Sequence, residues 1–466
     1  MKRLVFCFDG TWNRLEAPNP TNVVITAESI TPIAPDGTVQ IIHYDSGVGT
    51  GRVDHWTGGI FGEGLLDKIM VAYTFLVFNY EPGDEIFVFG FSRGAFSARA
   101  FVGFVRSCGI VQRRHAAKIA DAARLYQERS LNQDHNTPEL LAFRAECSPE
   151  ICIDMTEDAW RVINVPGYLT GAGTVVRIKY LGVWDTVGAM GIPDELPFAE
   201  FINRHRHFYD ENLSSLVVSA RHAVAIDELR RSFTPTLWPN LAVLNAALGF
   251  HDKAVDAPYQ QKWFPGVHGS VGGGGDVRGL SDRALDWVLD GARAMGLALD
   301  LNAASPLFAL APDDFAPLDN MHLGSGSVLD KVMHEVLPTK PRVGPTAIED
   351  VGSGALRRWR EPATNLPGGQ AYRPETLSQV ADAITAGAPA GKLQIEHSVG
   401  FVPVATGAAP AAGTLHTVVY GDTLGGLAHR LYGDAAKARD IMLANPKTII
   451  DENRIYVGQV IMLPDL

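Results

Sequence analysis

A serine stands between two glycines near residue 90, in an arrangement that is typical of an enzymatic nucleophile. The segment Gly90-Phe91-Ser92-Arg93-Gly94 has the form G-x-S-x-G. It follows an apolar segment predicted to be a strand, residues 86–89, and precedes a predicted helix that begins at Ala95. At such a strand-to-helix turn the hydroxyl is held above the sheet, and the helix N-terminus stabilises nearby negative charge. This context predicts that Ser92 is a nucleophile.

A nucleophilic serine needs a base and a carboxylate that orients the base. In this type of fold the carboxylate follows the serine along the chain, and the histidine comes last. Asp185 directly follows a predicted strand, residues 175–183, that is rich in β-branched residues. Site residues collect at the C-terminal ends of parallel strands. Asp185 is therefore the predicted orienting acid.

Four of the histidines that follow Asp185 are candidates for the base. His268 lies in a loop after an aromatic strand, next to a run of four glycines, and is modestly preferred. His251 and His322 stay open as alternatives on spacing alone. His222 is predicted to lie in a helix, where a packing or surface role suits it better.

The loop after the first strand has the sequence Asp9-Gly10-Thr11-Trp12-Asn13. The backbone N–H of Gly10 or of Thr11 is predicted to form an oxyanion hole together with the N–H of Arg93. A phosphatase-type D-x-D-G-T loop is disfavoured because position 7 is Cys7. The glycine-rich residues 45–51 lack the lysine of a phosphate-binding loop, so they are interpreted as structural.

Strand-like and helix-like segments alternate along the first part of the chain, which predicts a mostly parallel sheet covered by helices on both faces. Residues 306–372 have no clean period and are interpreted as an irregular cover over the sheet or a region that faces the substrate. The predicted strands are residues 4–8, 39–44, 85–89 and 175–183, and the predicted helices are residues 65–80, 95–105, 113–129, 137–147 and 285–295.

Composition narrows the class of protein. The chain has 466 residues and a net charge of −12, which argues against a general nucleic-acid binder. Its four cysteines do not make a disulfide framework, and no zinc or other metal site is expected. Cys7 and Cys108 are predicted to be buried thiols.

No segment has the length of a transmembrane helix, and the short apolar start is interpreted as a strand rather than a signal peptide. A cytoplasmic location in the producing cell is therefore expected.

The C-terminal part changes character. Residues 402–413 are a linker of small residues and proline. They are predicted to join a hydrolase domain, residues 1–401, to a small βααβ domain, residues 414–466. The tail shows a strand-like start at 416–419, two short helical segments, and a strand-like end at 459–463.

Several sequence blocks in the first domain together resemble one family, the α/β-hydrolases that include the Tle phospholipase effectors of type VI secretion. The resemblance implies a Ser-Asp-His triad whose members fall on Ser92, Asp185 and His268, and it favours His268 over the other histidines. The blocks are FDGTWN at 8–13, YDSGVGTG at 44–51, PGDEIFVFGFSRGAFSAR at 82–99, GVWDTVGAMG at 182–191, RHAVAIDE at 221–228 and WFPGVHGSVGGG at 263–274.

The tail resembles a LysM module, through HTVVYGDTLGGLAHRLYGD at 416–434 and the later Asn445-Pro446. The resemblance implies binding of glycans that contain N-acetylglucosamine, such as peptidoglycan. A folding or assembly module without a sugar ligand stays open as the alternative. The implied groove residues are Gly421, Asp422, Thr423, Leu424, Asn445 and Ile449.

Together these observations predict a serine esterase of the phospholipase A type, an antibacterial effector that needs no cofactor. The expected partners are a lipid or membrane phospholipid substrate, peptidoglycan, and secretion-apparatus and immunity proteins, with delivery to the periplasm of target cells. A soluble carboxylesterase or thioesterase is one alternative. Another is a cell-wall-binding or secretion-adaptor protein on an inactive hydrolase scaffold.

Overall fold

The fold is described from a computed structural model of the 466-residue chain. The structure describes residues 1–10, 17–46, 60–128, 135–188, 212–300, 309–320, 339–387, 415–417, 424–432, 437–446 and 460–465, together with residues 434 and 449.

A six-stranded sheet lies at the centre of the first domain, and all its paired strands are parallel. The order of its strands across the sheet is β2 (Val39–Asp45), β1 (Lys2–Phe8), β3 (Glu85–Phe91), β6 (Ile178–Trp184), β7 (Ala220–Ala225) and β8 (Tyr259–Phe264). Since parallel strands all end at one edge, the loops after β1, β3, β6 and β8 meet there.

Helices cover both faces of the sheet. Alternate side chains of β1 point to opposite faces, so that Phe6 packs on one face and Val5 on the other. The first face is covered by α2 (Ile60–Asn79) and α3 (Arg93–Cys108), and the second by α1 (Asn22–Ser29) and α9 (Gly279–Ala294). The predicted mostly parallel sheet covered by helices is therefore confirmed.

An insertion between α3 and β6 is built around a buried ion network. Glu157 accepts from the guanidinium groups of Arg144 and Arg161, and all three side chains are at most 1% exposed. The helices and short strands of the insertion are α4 (Ile119–Glu128), α5 (Pro138–Cys147), β4 (Ile151–Cys152), α6 (Met155–Asn164) and β5 (Thr174–Val175).

The segment from residue 339 to 387 forms a cover beside β7 and β8. Its apolar residues, among them Trp359 and Tyr372, form a cluster with Trp263 of β8. The irregular region predicted at 306–372 is thus partly helical. The remaining helices of the first domain are α7 (Leu241–Ala247), α8 (His268–Gly272), α10 (Ser353–Arg360) and α11 (Ala381–Ala386).

The tail has its own core, in which Leu427 and Ile461 are fully buried. The strands β9 (Leu415–Thr417) and β10 (Val460–Met462) pair antiparallel around α12 (Leu424–Tyr432) and α13 (Ala438–Ala444). The predicted βααβ order is confirmed. The linker at 402–413 lies outside the described residues.

Two further predictions can be compared with the structure. All four cysteines are free and buried, as predicted for Cys7 and Cys108. Within the described ranges no single helix is long and apolar enough to cross a membrane, although the pair 93–108 and 113–128, bent by 104°, meets that criterion jointly.

Candidate active site

Ser92 lies at a sharp turn between β3 and α3. Its φ of 59° and ψ of −125° are strained values for a residue with a side chain. The flanking glycines make the turn possible: a Cβ on Gly90 would lie 2.6 Å from Ala95 Cα, and one on Gly94 would lie 2.2 Å from Phe8 O. The G-x-S-x-G spacing is thus a steric requirement of the turn that presents Ser92.

Asp185 follows β6 and is the other described non-glycine residue with a positive φ, at 37°. Its backbone N–H donates to Ala223 O at 2.7 Å, and its Oδ1 accepts from Ala225 N at 2.8 Å. The carboxylate is fully buried. These contacts with β7 fix the carboxylate beside the turn of Ser92, whose N–H donates to Trp184 O.

His268 is the first residue of α8, immediately after β8, and it joins the other two side chains. Its Nδ1 lies 2.5 Å from Asp185 Oδ2, and its Nε2 lies 2.8 Å from Ser92 Oγ. With an ionised Asp185, Nδ1–H donates to the carboxylate, which leaves Nε2 to accept the serine proton. The side chains that the sequence predicted as nucleophile, base and acid therefore lie in one hydrogen-bonded row.

The surroundings of His268 favour its neutral form. The imidazole lies between the rings of Phe91 and Phe233, with centroids 4.7 Å and 4.6 Å away. Burial lowers the pKa of His268 below its ordinary value of 6.5, and the hydrogen bond and charge of Asp185 and the charge of Glu228 only partly oppose this. A neutral imidazole can accept a proton, which is what a general base requires.

Asp185 stays ionised in spite of its burial. Burial by itself would raise the pKa of this carboxyl group, but the charge of Arg342 and the hydrogen bonds from His268 and Arg342 outweigh it and hold the pKa well below its ordinary value. Arg342 donates to both carboxylate oxygens, at 2.6 Å and 2.9 Å.

The predicted oxyanion donors lie at the start of α3 and after β1. Arg93 is the first residue of α3, where backbone N–H groups have no acceptor within the helix. The N–H of Gly10 donates instead to Asp9 Oδ1 at 2.7 Å, so in this structure it is engaged locally. Asp9 is held in turn by Thr21 and Tyr44. Thr11 lies outside the described residues.

The other histidines do not approach Ser92 in the described part of the chain. His251 is exposed, and its Nδ1 accepts from Lys253 N. His222 belongs to β7, so its predicted helical placement is wrong. Its ring is hydrogen-bonded by Thr186 N and Gln261, and burial lowers its pKa to about 3. His322 lies outside the described residues.

Neither the described residues of the site nor the rest of the described chain contain a group of three or more His, Cys, Asp or Glu side chains arranged to hold a metal ion.

A cavity of about 420 Å³ lies along α3, between Phe96 and Arg106 on one side and Trp238 and Leu244 on the other. Its wall begins one helical turn from Ser92 but does not include the three hydrogen-bonded side chains.

In the tail, the predicted groove residues that the structure describes have buried side chains. Leu424 and Ile449 belong to the core, and the side-chain amide of Asn445 bonds to both the N–H and the carbonyl of Met462. Glycan contacts at these three positions would have to come from the backbone. Gly421, Asp422 and Thr423 lie outside the described residues.

Sequence reasoning missed several residues that complete the site. Glu228 accepts from the backbone N–H of His268 at 3.2 Å, and it forms an ion pair with Arg230. Phe233 packs on the imidazole, and Arg342 holds Asp185. None of them stands in a local motif that signals its role, although Glu228 ends the block at 221–228.

Family models match both parts of the chain. Residues 2–291 match the family of type VI secretion phospholipase effectors described as Tle1-like, catalytic domain, and the chain belongs to that family. Residues 416–464 match the LysM domain.

Individual relatives are distant. An uncharacterized protein of Saccharomyces cerevisiae is 26% identical over 247 residues, which cover 50% of this chain and 32% of that protein, so the chain spans about a third of the curated relative. A solved structure of the Tle1 effector bound to the VgrG spike has a TM-score of 0.38 at 14% identity, covering 68% of this chain and 77% of that one. An uncharacterized protein from Pseudomonas aeruginosa has the same TM-score at 15% identity, covering 85% of this chain and 61% of that one. Neither superposition is close enough to support an inference.

Proposed function

We propose that this chain is a serine hydrolase that cleaves the acyl esters of phospholipids. The observation that carries the proposal is the hydrogen-bonded row from Ser92 through His268 to Asp185, at 2.8 Å and 2.5 Å. The row lies at the carboxyl edge of the sheet, within the domain that belongs to the phospholipase effector family. In the proposed reaction these side chains and the backbone donors beside Ser92 act on the ester and water, without a cofactor.

The reaction proceeds through an acyl-enzyme. Ser92 Oγ attacks the ester carbonyl carbon while its proton passes to His268 Nε2, and the tetrahedral oxyanion then expels the alcohol, which takes that proton. Water next attacks the acyl-enzyme carbonyl and gives a proton to Nε2, which passes it to the departing Ser92 Oγ, so that the free acid and the original Ser92 hydroxyl are released. Asp185 fixes the tautomer of His268 and stabilises the imidazolium in both steps.

The oxyanion is stabilised by the N–H of Arg93 together with that of Gly10 or Thr11. Arg93 contributes from the positive end of the α3 dipole. For Gly10 to take part, its N–H must exchange the carboxylate of Asp9 for the oxyanion, so the loop after β1 has to shift when substrate binds.

The low exposure of the site favours a lipid aggregate as the substrate. Ser92 is 5% exposed and His268 7% exposed, so a dissolved ester has little access to either side chain in this structure. Apolar side chains such as Phe233, which packs on His268, are exposed to a lipid interface at less cost than to water.

The test offers the purified chain phospholipids labelled at each acyl position, beside short p-nitrophenyl esters and thioesters. Release of labelled fatty acid by the native chain, absent from Ser92→Ala, is the expected result. Hydrolysis of the short esters alone would favour the soluble esterase or thioesterase. No hydrolysis of any ester would favour the inactive scaffold.

For the tail we propose weak binding to peptidoglycan, supported by its match to the LysM domain. Since the catalytic domain belongs to the type VI effector family, we further propose delivery into the periplasm of target cells, with secretion-apparatus and immunity proteins as partners. Sedimentation with purified cell-wall sacculi tests the first of these proposals.

A further inference from the structure

A buried arginine reaches the site from outside the segment that matches the effector family. Arg342 lies 157 residues beyond Asp185, in the cover that follows the matched residues 2–291. Its side chain is 3% exposed, and the carboxylate it contacts is fully buried. A guanidinium at such a position influences the chemistry of its partner far more than a surface ion pair would.

The two Nη groups of Arg342, which form a fork of donors, complete the hydrogen bonds of the Asp185 carboxylate. Oδ1 of Asp185 accepts from Ala225 N and Arg342 Nη1, and Oδ2 accepts from His268 Nδ1 and Arg342 Nη2. A carboxylate has about four acceptor sites, and here all four are filled without water. The two oxygens are therefore held in one orientation, with Oδ2 directed at the imidazole.

The arginine is itself held by backbone groups on either side. Its Nη1 donates to Ala225 O at 2.8 Å, and its Nη2 donates to Phe233 O at 2.5 Å. The preceding residues are tied down as well, because Thr339 forms a β-bridge with Arg230 and Lys340 N donates to Leu229 O. The guanidinium thus has a fixed place between the end of β7 and the backbone of Phe233, whose ring packs on His268.

We propose that Arg342 is a positioning residue of the catalytic row: its two Nη groups orient Asp185, and its positive charge disfavours protonation of the Asp185–His268 pair, so that His268 stays unprotonated and active in mildly acidic solution. The proposal rests on the proposed serine hydrolase function. It assigns a role in the chemistry to the segment after residue 291, which would otherwise be only a cover.

The expected pH effect has a definite sign. Once the cation is removed, both Asp185 and His268 bind protons more readily, so the pair takes up its proton at a higher pH. The acidic limb of the pH profile, which is the fall of activity at low pH, then moves to a higher pH. The charged or titratable groups that act on this pair among the described residues are His222, Glu228, Arg230 and Arg342, while Arg99 acts on His222 and Asp227 lies near Arg342.

The test uses a fluorophosphonate probe, which reports the catalytic row without any assumption about the natural lipid. Ser92 Oγ forms a bond to phosphorus as the P–F bond breaks, fluoride leaves, and the serine proton passes to His268 Nε2 and then to solvent. The labelling rate against pH therefore follows the neutral fraction of His268. Ser92→Ala is the blank.

Two substitutions are compared across pH 4 to 9. Arg342→Gln should slow labelling by about 10- to 100-fold and move the acidic limb upward by about half a unit or more. The matched control is Arg161→Gln, which removes another buried arginine from a carboxylate whose contacts do not reach the site. It should leave both the rate and the limb unchanged.

A double-variant cycle separates positioning from general packing. If Arg342 acts through the carboxylate, Arg342→Gln should have little further effect in an Asp185→Asn background. Should Arg342→Gln not fold, Arg342→Lys carries the test, because it keeps the charge and loses the fork. We then expect slower labelling with an unmoved limb.

The outcomes distinguish the two proposals. Equal rates and equal limbs for the native chain and Arg342→Gln, or a native rate for Arg342→Lys, would overturn the role of Arg342 alone. Labelling of Ser92 without phospholipid hydrolysis would overturn the proposed substrate. The role of Arg342 would then be decided by the labelling rates of its variants. Failure of the native chain to label at any pH would overturn both.

Discussion

Replacing Gly94 by alanine is expected to disable the site through a contact of a single methyl group. The Cβ would lie 2.2 Å from Phe8 O and 2.4 Å from Asp9 O. Both atoms are backbone oxygens at the end of β1, which is hydrogen-bonded on both sides, so neither moves at little cost. The start of α3 must then move away from the sheet.

The magnitude follows from this distance. An ordinary contact between carbon and oxygen is about 1 Å longer than the gap available, so the helix start shifts by that order. A displacement of about 1 Å at a catalytic group costs on the order of 10²-fold in rate. The overpacking itself is expected to lower the free energy of unfolding by about 1 to 3 kcal/mol.

Gly103 offers a matched control on the same helix. A Cβ there meets only the hydroxyl of Tyr126, at 3.3 Å, and position 103 lies about three helical turns along α3 from Ser92. Gly103→Ala should therefore keep kcat/KM on a soluble p-nitrophenyl ester within about twofold and change the free energy of unfolding by at most about 1 kcal/mol. Both variants are measured by initial rates and by urea denaturation.

The two measurements together decide the outcome. A Gly94→Ala variant that is folded and has native kcat/KM would refute the argument that this glycine positions the nucleophile. An equal loss of activity in both variants would also refute it, because the effect would then belong to α3 as a whole.

Four other outcomes follow from the same geometry. Asp185→Asn should lower kcat by about 10³ to 10⁴ because His268 adopts the wrong tautomer. Since burial lowers the pKa of His268, kcat/KM should keep its plateau to below pH 6.5 and fall only as the pH drops through that lowered pKa. Activity on an ester should rise sharply once the ester forms micelles, because Ser92 and His268 are covered. Cleavage within 402–413 should leave activity on dissolved esters intact and abolish pelleting with sacculi.

Each of these has a contrary result. Native turnover by Asp185→Asn would remove the orienting role of that carboxylate. An acidic limb centred above pH 6.5 would contradict the effect of burial on the imidazole. Equal rates on monomers and micelles would favour the soluble esterase, and equal pelleting of the whole and cleaved chains would remove cell-wall targeting.

The sequence was sufficient for features that depend on neighbouring residues. The apolar segments at 4–8 and 85–89 predicted β1 and β3, because a strand buried on both faces needs a continuous apolar run. The turn at Ser92 could be identified because its steric demand falls on glycines two positions away on either side. The βααβ order of the tail could also be predicted, because each of its short strands and helices is indicated by a local run of residues.

The tertiary structure decided what depends on residues far apart in the chain. Spacing left His251 and His322 open beside His268, since only the order of the strands brings a residue after β8 to within 2.8 Å of one after β3. His222 was wrongly predicted as helical because a short strand buried on both faces and a short buried helix have similar composition. Arg342 had no signal at all: its partner lies 157 positions earlier, and the contact exists only because the cover folds back onto the ends of β6 and β7.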